Sequence, residues 1–239
     1  MAQPMSDGFA AFMALYSGLP REGPGTIDSL LSALEIANTP PLGRVLDAAC
    51  GSGADSQTLR RALPNVELIG VDKQEAFITA AKARGIDADF QTGDMLWVEG
   101  EFDLIWCAGA VYFFGVETAL DAWRGHLRPQ GKIAFSEVVW IGPPSPAAKA
   151  FWEEAYPQMS TRNGLAARIE ASGYKLLSAE PLGRAGWEGY YAALRANIAR
   201  LQGQSAVMDA VIAETEAEMA IFDSDFGSYD YVVYLVEPL

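Results

Sequence analysis

The chain has few of the residues that most often build metal sites and disulfide frameworks. Its 239 residues include two cysteines, Cys50 and Cys107, and one histidine, His126. A Cys/His zinc site needs three or four such ligands, so it is excluded, although carboxylate-rich sites stay open. Two cysteines also fit reduced, packed thiols better than a disulfide framework. We therefore expect no resident metal.

Positive charge is scarce as well. Lys and Arg together number 17 against 31 Asp and Glu, which gives a formal net charge of −14, and Arg60-Arg61 is the one short basic cluster. Binding to a phosphate backbone needs clustered basic side chains. Nucleic acid is therefore a poor candidate substrate.

Long apolar runs are missing too. The longest uncharged one, residues 104–116, falls short of the ~20 residues that span a bilayer. Residues 1–7 lack the basic and apolar regions of a secretory signal. We predict a cytoplasmic protein without a membrane span.

Short apolar segments do alternate with amphipathic ones beyond residue 42, which is typical of a parallel sheet with helical crossovers. The segments that read as strands are 45–46, 66–71, 86–90, 102–107, 132–139, 174–182 and 231–236, with a turn expected at 128–131. Before the first strand, Thr26 is expected to cap a helix that Pro40-Pro41 stops. The pattern predicts an α/β fold. We expect a Rossmann-like, doubly wound, mostly parallel seven-stranded sheet, with added N-terminal and late helices that form a cap.

A glycine turn follows the first predicted strand. In the segment 45–53, Asp47 precedes Gly51 and Gly53, and a helix is predicted from about Ala54. The two glycines allow the backbone to approach a ligand closely, and the helix start offers amide donors. Asp72 ends the next strand, 19 residues after Gly53, where its carboxylate is placed to bind a ribose diol. A nucleoside-containing cofactor is therefore expected.

The turn alone leaves two cofactor classes open. Gly51, Gly53 and Ser56 nearly fill the G-x-G-x-x-G pattern of dinucleotide sites, with only the third glycine replaced. Asp47, however, lies inside the end of the first strand, where a carboxylate would crowd a pyrophosphate but would suit an ammonium group and a sulfonium. The residues favour a cationic ligand.

Several segments resemble the class I S-adenosylmethionine-dependent methyltransferases, in the expected order between Arg44 and Glu137. The matching segments are 47–53, 71–72, 93–95, 102–105 and 127–132. More narrowly, the chain resembles bacterial proteins related to the quinone-biosynthesis methyltransferases, through segments 18–25, 106–112 and 151–157. Jointly these segments are specific, whereas each alone could simply form a turn or a cap.

The resemblance implies S-adenosyl-L-methionine as cofactor and S-adenosyl-L-homocysteine as product. It implies that Asp47 lies near the methionine ammonium, that Asp72 binds the ribose, and that Asp94 and Met95 hold the adenine. The full set of expected cofactor-binding residues is Arg21, Asp47, Ala49, Cys50, Gly51, Gly53, Asp72, Lys73, Asp94, Met95, Cys107 and Ala108. Two positions depart from the family pattern, because Ala49 and Gln130 stand where glycine is usual.

The expected reaction is in-line methyl displacement onto a small-molecule acceptor. If the acceptor is a hydroxyl or an acidic carbon, a base is needed, and we predict Glu137 for this role with Tyr112 as a hydrogen-bond donor. The segment around Tyr16 and Arg21 is expected to fold over the cofactor, with Arg21 near the methionine carboxylate. One domain, 1–239, is predicted, with a helical cap to residue 41, a cofactor-binding core at 42–141 and substrate-side helices and final strands at 142–239.

Two other functions fit the same residues. The chain could bind S-adenosylmethionine or its product without catalysis, or it could be a nicotinamide-dependent oxidoreductase. His126 is expected to act as a cation at a helix end rather than in catalysis. The sequence leaves open the acceptor, the atom that receives the methyl group and the oligomeric state.

Overall fold

The computed structural model describes residues 7–239 and contains one seven-stranded sheet in the order β3-β2-β1-β4-β5-β7-β6. Its strands are β1 Arg44–Ala48, β2 Glu67–Asp72, β3 Asp89–Thr92, β4 Phe102–Ala108, β5 Leu127–Trp140, β6 Tyr174–Pro181 and β7 Tyr229–Pro238. The helices are α1 Asp7–Tyr16, α2 Ile27–Ala37, α3 Ala54–Ala62, α4 Glu75–Ala83, α5 Val116–Arg124, α6 Pro146–Ala155, α7 Arg162–Ala171, α8 Arg184–Leu201 and α9 Ala206–Asp225, with a short 3₁₀ turn at Val111–Phe113. The predicted fold class is confirmed.

Strands β3, β2, β1, β4 and β5 run parallel, and β7 pairs antiparallel with both β5 and β6. The chain winds outward from β1 to β3 and then returns to place β4 on the other side of β1. Ligands of open α/β sheets bind at such a reversal, outside the carboxyl ends of the strands. The topology therefore places the predicted turn after β1 at the expected ligand crevice.

Both faces of the sheet are covered, which is why its central strands read as continuous apolar runs. One face packs with α5 and α7 around Trp123, Phe135 and Ile169, and the other packs with α2 and α3 around Leu30, Leu59 and Leu104. Helix α2 begins where the sequence predicts, because Thr26 and Ser29 form a capping box. It ends at Asn38 in a left-handed conformation, before Pro40-Pro41 is reached.

A third apolar cluster joins α1 to α8 and α9. Leu15 on α1 is fully buried with Trp187 and Leu194 of α8. The Asn197 side-chain amide donates to the carbonyl oxygens of Leu15 (2.8 Å) and Ser17 (3.0 Å). These contacts fix α1 beside the late helices and so determine which of its faces turns toward the crevice.

Three local predictions differ from the structure. Strand β3 begins at Asp89 rather than at residue 86, and His126 lies beyond the end of α5, where its Nδ1 is 3.0 Å from the Gly100 carbonyl oxygen. Segment 128–131, predicted as a turn before β5, is part of that strand. It forms an irregularity there, since β4–β5 pairing jumps from Phe102–Leu127 to Leu104–Lys132.

Within residues 7–239, no helix is long and apolar enough to cross a bilayer. The predicted absence of a signal rests mainly on residues 1–6, which lie outside the described part of the chain.

Gln130 lies in the irregular part of β5 at residues 128–131 and has φ +68°. A non-glycine residue in this conformation is strained by roughly 1–2 kcal/mol. Gln130→Gly should therefore raise the free energy of unfolding by about 0.5–1 kcal/mol, after the entropy cost of glycine in the unfolded chain. Urea unfolding measures this effect. Gln130→Ala is the control, because alanine keeps the strain, and an equal gain in both variants would show that side-chain removal is responsible.

Candidate functional site

A cavity of about 730 Å³ opens at the carboxyl ends of β1, β2 and β4, within the size range of small-molecule sites. It has a polar half and an aromatic half. The polar half is formed by Arg21, Glu22, Asp47, Ala49, Cys50, Gly51, Asp55, Asp72, Lys73, Asp94 and Met95. The aromatic half is formed by Phe9, Phe12, Tyr16, Tyr112, Phe113 and Phe114, which come from α1 and from the 3₁₀ turn and the residue after it.

In the glycine turn after β1, three alternate residues have positive φ: Ala49 (+58°), Gly51 (+52°) and Gly53 (+84°). The Cys50 N–H donates to the Val71 carbonyl oxygen (3.0 Å), and the Gly53 N–H donates to the Cys50 carbonyl oxygen (2.9 Å). Ala49 thus adopts a conformation that glycine would adopt without strain. The turn brings backbone amides and the start of α3 to the cavity.

Asp47 is buried at this turn and accepts a hydrogen bond from the Ser56 hydroxyl (2.5 Å). Burial, reinforced by the nearby charge of Asp55, raises the pKa of Asp47 to about 8. Arg21 forms an ion pair with Asp55, and the other Asp55 oxygen accepts from the Trp106 indole N–H (2.9 Å). Arg21 therefore reaches the cavity as predicted, but its partner is a carboxylate of this chain.

Asp72 ends β2 and fastens the glycine turn. Its Oδ2 accepts from the Gly51 N–H (2.9 Å) and its Oδ1 accepts from the Gln74 N–H (2.8 Å). Burial nevertheless raises the pKa of this carboxyl above its ordinary value. Each oxygen keeps further acceptor capacity for a ligand. Lys73 follows directly and also lines the cavity.

Asp94 and Met95 lie on the next part of the wall. The Asp94 Oδ1 accepts from the Leu96 N–H (2.9 Å), which leaves Oδ2 for other contacts. The Met95 carbonyl oxygen accepts from the Trp123 indole N–H (2.9 Å), so the loop is anchored to α5. Ala108, at the end of β4, also lines the cavity.

Three predicted residues lie behind the cavity lining. Gly53 begins α3, and a Cβ there would contact Ala81 at 3.2 Å. Cys107 is fully buried, and its Sγ lies 4.0 Å from the Met95 Sδ. Glu137 is buried within β5 and does not line the cavity. Neither cysteine forms a disulfide.

Glu137 has the hydroxyls of Tyr112, Tyr156 and Tyr231 among its neighbours. Burial raises the pKa of its carboxyl to about 8. Neither oxygen has a hydrogen bond of normal geometry within residues 7–239, although the nearby Tyr156 hydroxyl lowers the pKa in part. Tyr112, in contrast, does line the cavity, and burial raises the pKa of its hydroxyl.

Sequence reasoning missed two groups of cavity residues. Glu22 accepts from the Ser52 N–H (3.2 Å) at the start of α3, and its pKa is raised by burial. Arg84 donates to the Ser52 hydroxyl (2.8 Å) and to the Pro20 carbonyl oxygen (3.2 Å), which ties segment 18–25 to the glycine turn. The sequence feature that could have indicated Glu22 is the charged pair Arg21-Glu22, which lies between Gly18 and Gly23. The aromatic residues of α1 gave no signal beyond helical spacing.

Charge in the polar half is unbalanced. Five carboxyl groups, those of Glu22, Asp47, Asp55, Asp72 and Asp94, face two basic groups, Arg21 and Lys73. Such a site favours a ligand that carries positive charge. Together with the topology and the glycine turn, it defines an α/β protein with a switch-point site for a cationic nucleoside cofactor.

Comparison with known proteins finds similarity to one family over the part of the chain that forms most of the polar half of the cavity. Residues 45–131 match the family model described as Methyltransferase domain. The chain is 31% identical to a Trans-aconitate 2-methyltransferase of Deinococcus radiodurans over 97 residues, which are 39% of this chain and 37% of that protein. It is 30% identical to the same-named protein of Sinorhizobium fredii over 73 residues, which are 30% of this chain and 28% of that protein. The chain thus matches about a third of the length of these relatives.

The fold extends over the whole length of several solved structures. An S-adenosylmethionine-dependent methyltransferase from Geobacter sulfurreducens, in complex with S-adenosyl-L-homocysteine, superposes with a TM-score of 0.84 at 24% identity, covering 96% of this chain and 98% of that one. A second from Thiobacillus denitrificans, in the same complex, also gives 0.84 at 22% identity, covering 100% of both chains. The chain therefore has the fold of these structures over its described length, and residues 45–131 match the methyltransferase family model.

Proposed function

We propose that this protein is an enzyme that transfers a methyl group from S-adenosyl-L-methionine to a small molecule, with S-adenosyl-L-homocysteine as product. The supporting observation is the carboxylate-rich glycine turn, with Asp47 and Asp72 at the cavity, inside a methyltransferase domain. A dinucleotide would bring two phosphates to a site with five carboxyl groups. The nicotinamide alternative is therefore disfavoured by charge.

The polar half has the donors and acceptors that this cofactor needs. We assign Asp47 to the ammonium group, Gly51 and the start of α3 to the methionyl portion, and Asp72 to the ribose hydroxyls. Asp94 has one oxygen free of the Leu96 bond for the adenine amine, and Met95 supplies an apolar surface for the ring. Ala49, Cys50, Lys73 and Ala108 complete the lining, with Gly53 and Cys107 supporting it from behind.

S-adenosyl-L-methionine supplies a methyl group activated by a sulfonium. The chain's contribution is to orient the reactants in line and to exclude water, which in well-oriented reactions lowers a barrier by up to ~7–11 kcal/mol. Segment 18–25 covers the glycine turn through Arg21, Glu22 and the Arg84 contacts. The aromatic half closes the other side.

Tyr112 and Glu137 have different roles in this proposal. Tyr112 lines the aromatic half, where its hydroxyl can donate to an acceptor. Glu137 lies behind the lining and is mostly protonated at neutral pH, since burial raises its pKa to about 8. We therefore assign Glu137 the role of holding a proton behind the acceptor site, without direct contact with the acceptor.

Other properties follow from the sequence. The net charge of −14 disfavours a nucleic-acid acceptor. We propose the cytoplasm as the location, since the free thiols of Cys50 and Cys107 suit a reducing compartment. The division at residues 41 and 141 assigns the core to the cofactor and the remainder to cap and acceptor. A binding module that senses the cofactor without catalysis is the second candidate.

A thermal-shift panel tests the cofactor. At 100 times its dissociation constant, S-adenosyl-L-homocysteine should stabilise the protein by about 2.7 kcal/mol, whereas NAD should have no effect. For a chain of this length the expected rise in Tm is roughly 5–10 °C. Stabilisation by NAD alone would instead support the oxidoreductase.

Incubation with methyl-labelled cofactor and a metabolite extract then separates enzyme from sensor. A labelled small molecule is expected. Label on protein or RNA alone would contradict the small-molecule acceptor, and saturable binding without any transfer would support the sensor.

A further inference from the structure

The aromatic half of the cavity has two walls. On α1 the rings of Phe9, Phe12 and Tyr16 follow each other, with centroids 6.4 Å and 4.2 Å apart. Tyr16 continues to Tyr190 of α8 at 6.5 Å, so this wall is anchored to the buried cluster that fixes α1. The wall is therefore a positioned surface of ring faces and edges.

The opposite wall is formed at the 3₁₀ turn. The rings of Tyr112 and Phe113 lie 4.1 Å apart, and Tyr112 meets Tyr156 edge-on at 6.1 Å. Phe113 is 68% exposed and Tyr112 is 38% exposed, which is unusual for large rings at a fixed turn. Exposed apolar groups that line a cavity indicate a ligand that covers them.

Negative ligand groups find no basic partner between these walls. Of the basic residues that line the cavity in the described part of the chain, Arg21 is paired with Asp55 and Lys73 follows Asp72, both in the polar half. Two carboxyl groups lie near the aromatic walls instead, those of the buried Glu137 and the half-buried Glu218. Glu218 accepts from the Tyr191 hydroxyl (2.6 Å), and both Glu218 and Glu137 are close enough to Tyr112 to act on it electrostatically.

A base for a hydroxyl acceptor is not present at these walls either. Among the described residues of the aromatic half, the ionisable groups are the hydroxyls of Tyr16 and Tyr112, and burial raises the pKa of both. Such hydroxyls hold their protons at neutral pH. An amine can lose its ammonium proton to water, and the neutral amine so formed is a good nucleophile, whereas an alcohol needs a base to remove its far less acidic proton.

Aromatic faces also stabilise the positive charge of an amine acceptor. We propose that the methyl acceptor is an amine nitrogen on an apolar or aromatic skeleton that carries no carboxylate or phosphate. The proposal rests on the proposed methyl transfer. The bound ammonium first loses a proton to water. The nitrogen lone pair then forms the new N–CH₃ bond, while the S–CH₃ electron pair returns to sulfur as a neutral thioether and the methylated nitrogen carries the positive charge.

Three probes with a shared phenyl ring and a short spacer test this inference: 2-phenylethylamine, 2-phenylethanol and 3-phenylpropanoate. Calorimetry is performed on protein already saturated with S-adenosyl-L-homocysteine, so failure of the first ligand to bind counts against the proposed function and not against the acceptor class. The amine should bind at least tenfold more tightly than the alcohol, and the propanoate should not bind. Labelled methyl transfer should occur to the amine and not to trans-aconitate.

Phe12→Leu and Tyr112→Leu should each weaken binding of the amine by about fivefold or more, through loss of ring contact with the cation, while S-adenosyl-L-homocysteine binding stays within twofold. Phe151→Leu is the matched control, since Phe151 is partly buried on α6 and does not line the cavity. Equal binding of alcohol and amine, tighter binding of the propanoate, or no binding of any probe to the loaded protein would overturn the proposal.

Discussion

Replacement of Asp47 by asparagine should weaken S-adenosyl-L-methionine binding at least 30-fold at pH 8, and it should also make the ligand-free protein more stable. The affinity loss follows from removal of a buried charge opposite the ammonium group, which typically costs about 2–5 kcal/mol. Asparagine retains the shape of the side chain and can still accept the 2.5 Å hydrogen bond from Ser56. Calorimetry with the cofactor measures the first effect.

The gain in stability follows from the direction of the pKa shift. Burial and Asp55 raise the pKa of Asp47 to about 8, well above the ordinary value of 3.8. The folded state therefore binds the proton more tightly than the unfolded state, and the associated stability is lost as the pH rises through about 8. The amide carries no charge, so the asparagine variant should keep this stability at pH 9, as urea unfolding would show.

The same shift gives the binding prediction a distinct pH dependence. Below pH 8 the cofactor must displace a proton from Asp47, so the advantage of the wild type should shrink as the pH falls toward 6. Asp87→Asn is the matched control, because Asp87 is exposed and distant from the cavity lining. A pH-independent loss of affinity, or no loss, would show that Asp47 does not carry the charge that the ligand meets.

Much of this site was accessible from the sequence because local chemistry dictates it. Gly51, Gly53 and Asp72 follow buried strands, and the parallel sheet brings the carboxyl ends of those strands together. Thr26 predicts its own helix start because a capping hydrogen bond spans only three residues. Signals of this kind need no knowledge of distant packing.

Other parts of the site depend on contacts between residues far apart in the sequence. Arg21 meets Asp55 only because segment 18–25 folds over the glycine turn, and no local pattern specifies that partner. Phe9 and Phe12 face the cavity because α1 is fixed by α8 and α9, whereas their helical spacing indicates only an apolar face. Glu137 lies near the end of β5, as predicted, but its side chain is buried and does not line the cavity, which the strand pattern alone does not specify.

The two departures from family glycine have a common structural consequence. Ala49 and Gln130 both adopt positive φ, at +58° and +68°, so the backbone that glycine favours is kept although the side chain opposes it. At Gln130 the strain affects only stability. At Ala49 it lies beside Asp47 and the ligand, where strained backbone is tolerated only if the surrounding contacts hold it. Here the Cys50–Val71 hydrogen bond does so.

Glu137→Gln should also produce a large change in the pH dependence of stability. The pKa of Glu137 is raised from 4.5 to about 8 by burial, so the stability linked to its proton is lost as the pH rises through about 8. Between pH 5 and pH 9 the wild type should lose roughly 3–5 kcal/mol relative to the variant. Urea unfolding gives the free energy of unfolding of both proteins at each of these two pH values. The change in that free energy between the two pH values is compared, so any pH-independent effect of the amide cancels.

The groups around Glu137 determine how the experiment is read. Its neighbours include the hydroxyls of Tyr112, Tyr156 and Tyr231, the Cys107 thiol and the Arg168 guanidinium. The hydroxyls and the thiol have raised pKa values and stay protonated over this pH range. Glu180→Gln serves as the control, because Glu180 is exposed. If wild type and Glu137→Gln instead have parallel pH profiles of stability, Glu137 is already ionised in the folded protein. It would then not hold a proton behind the acceptor site.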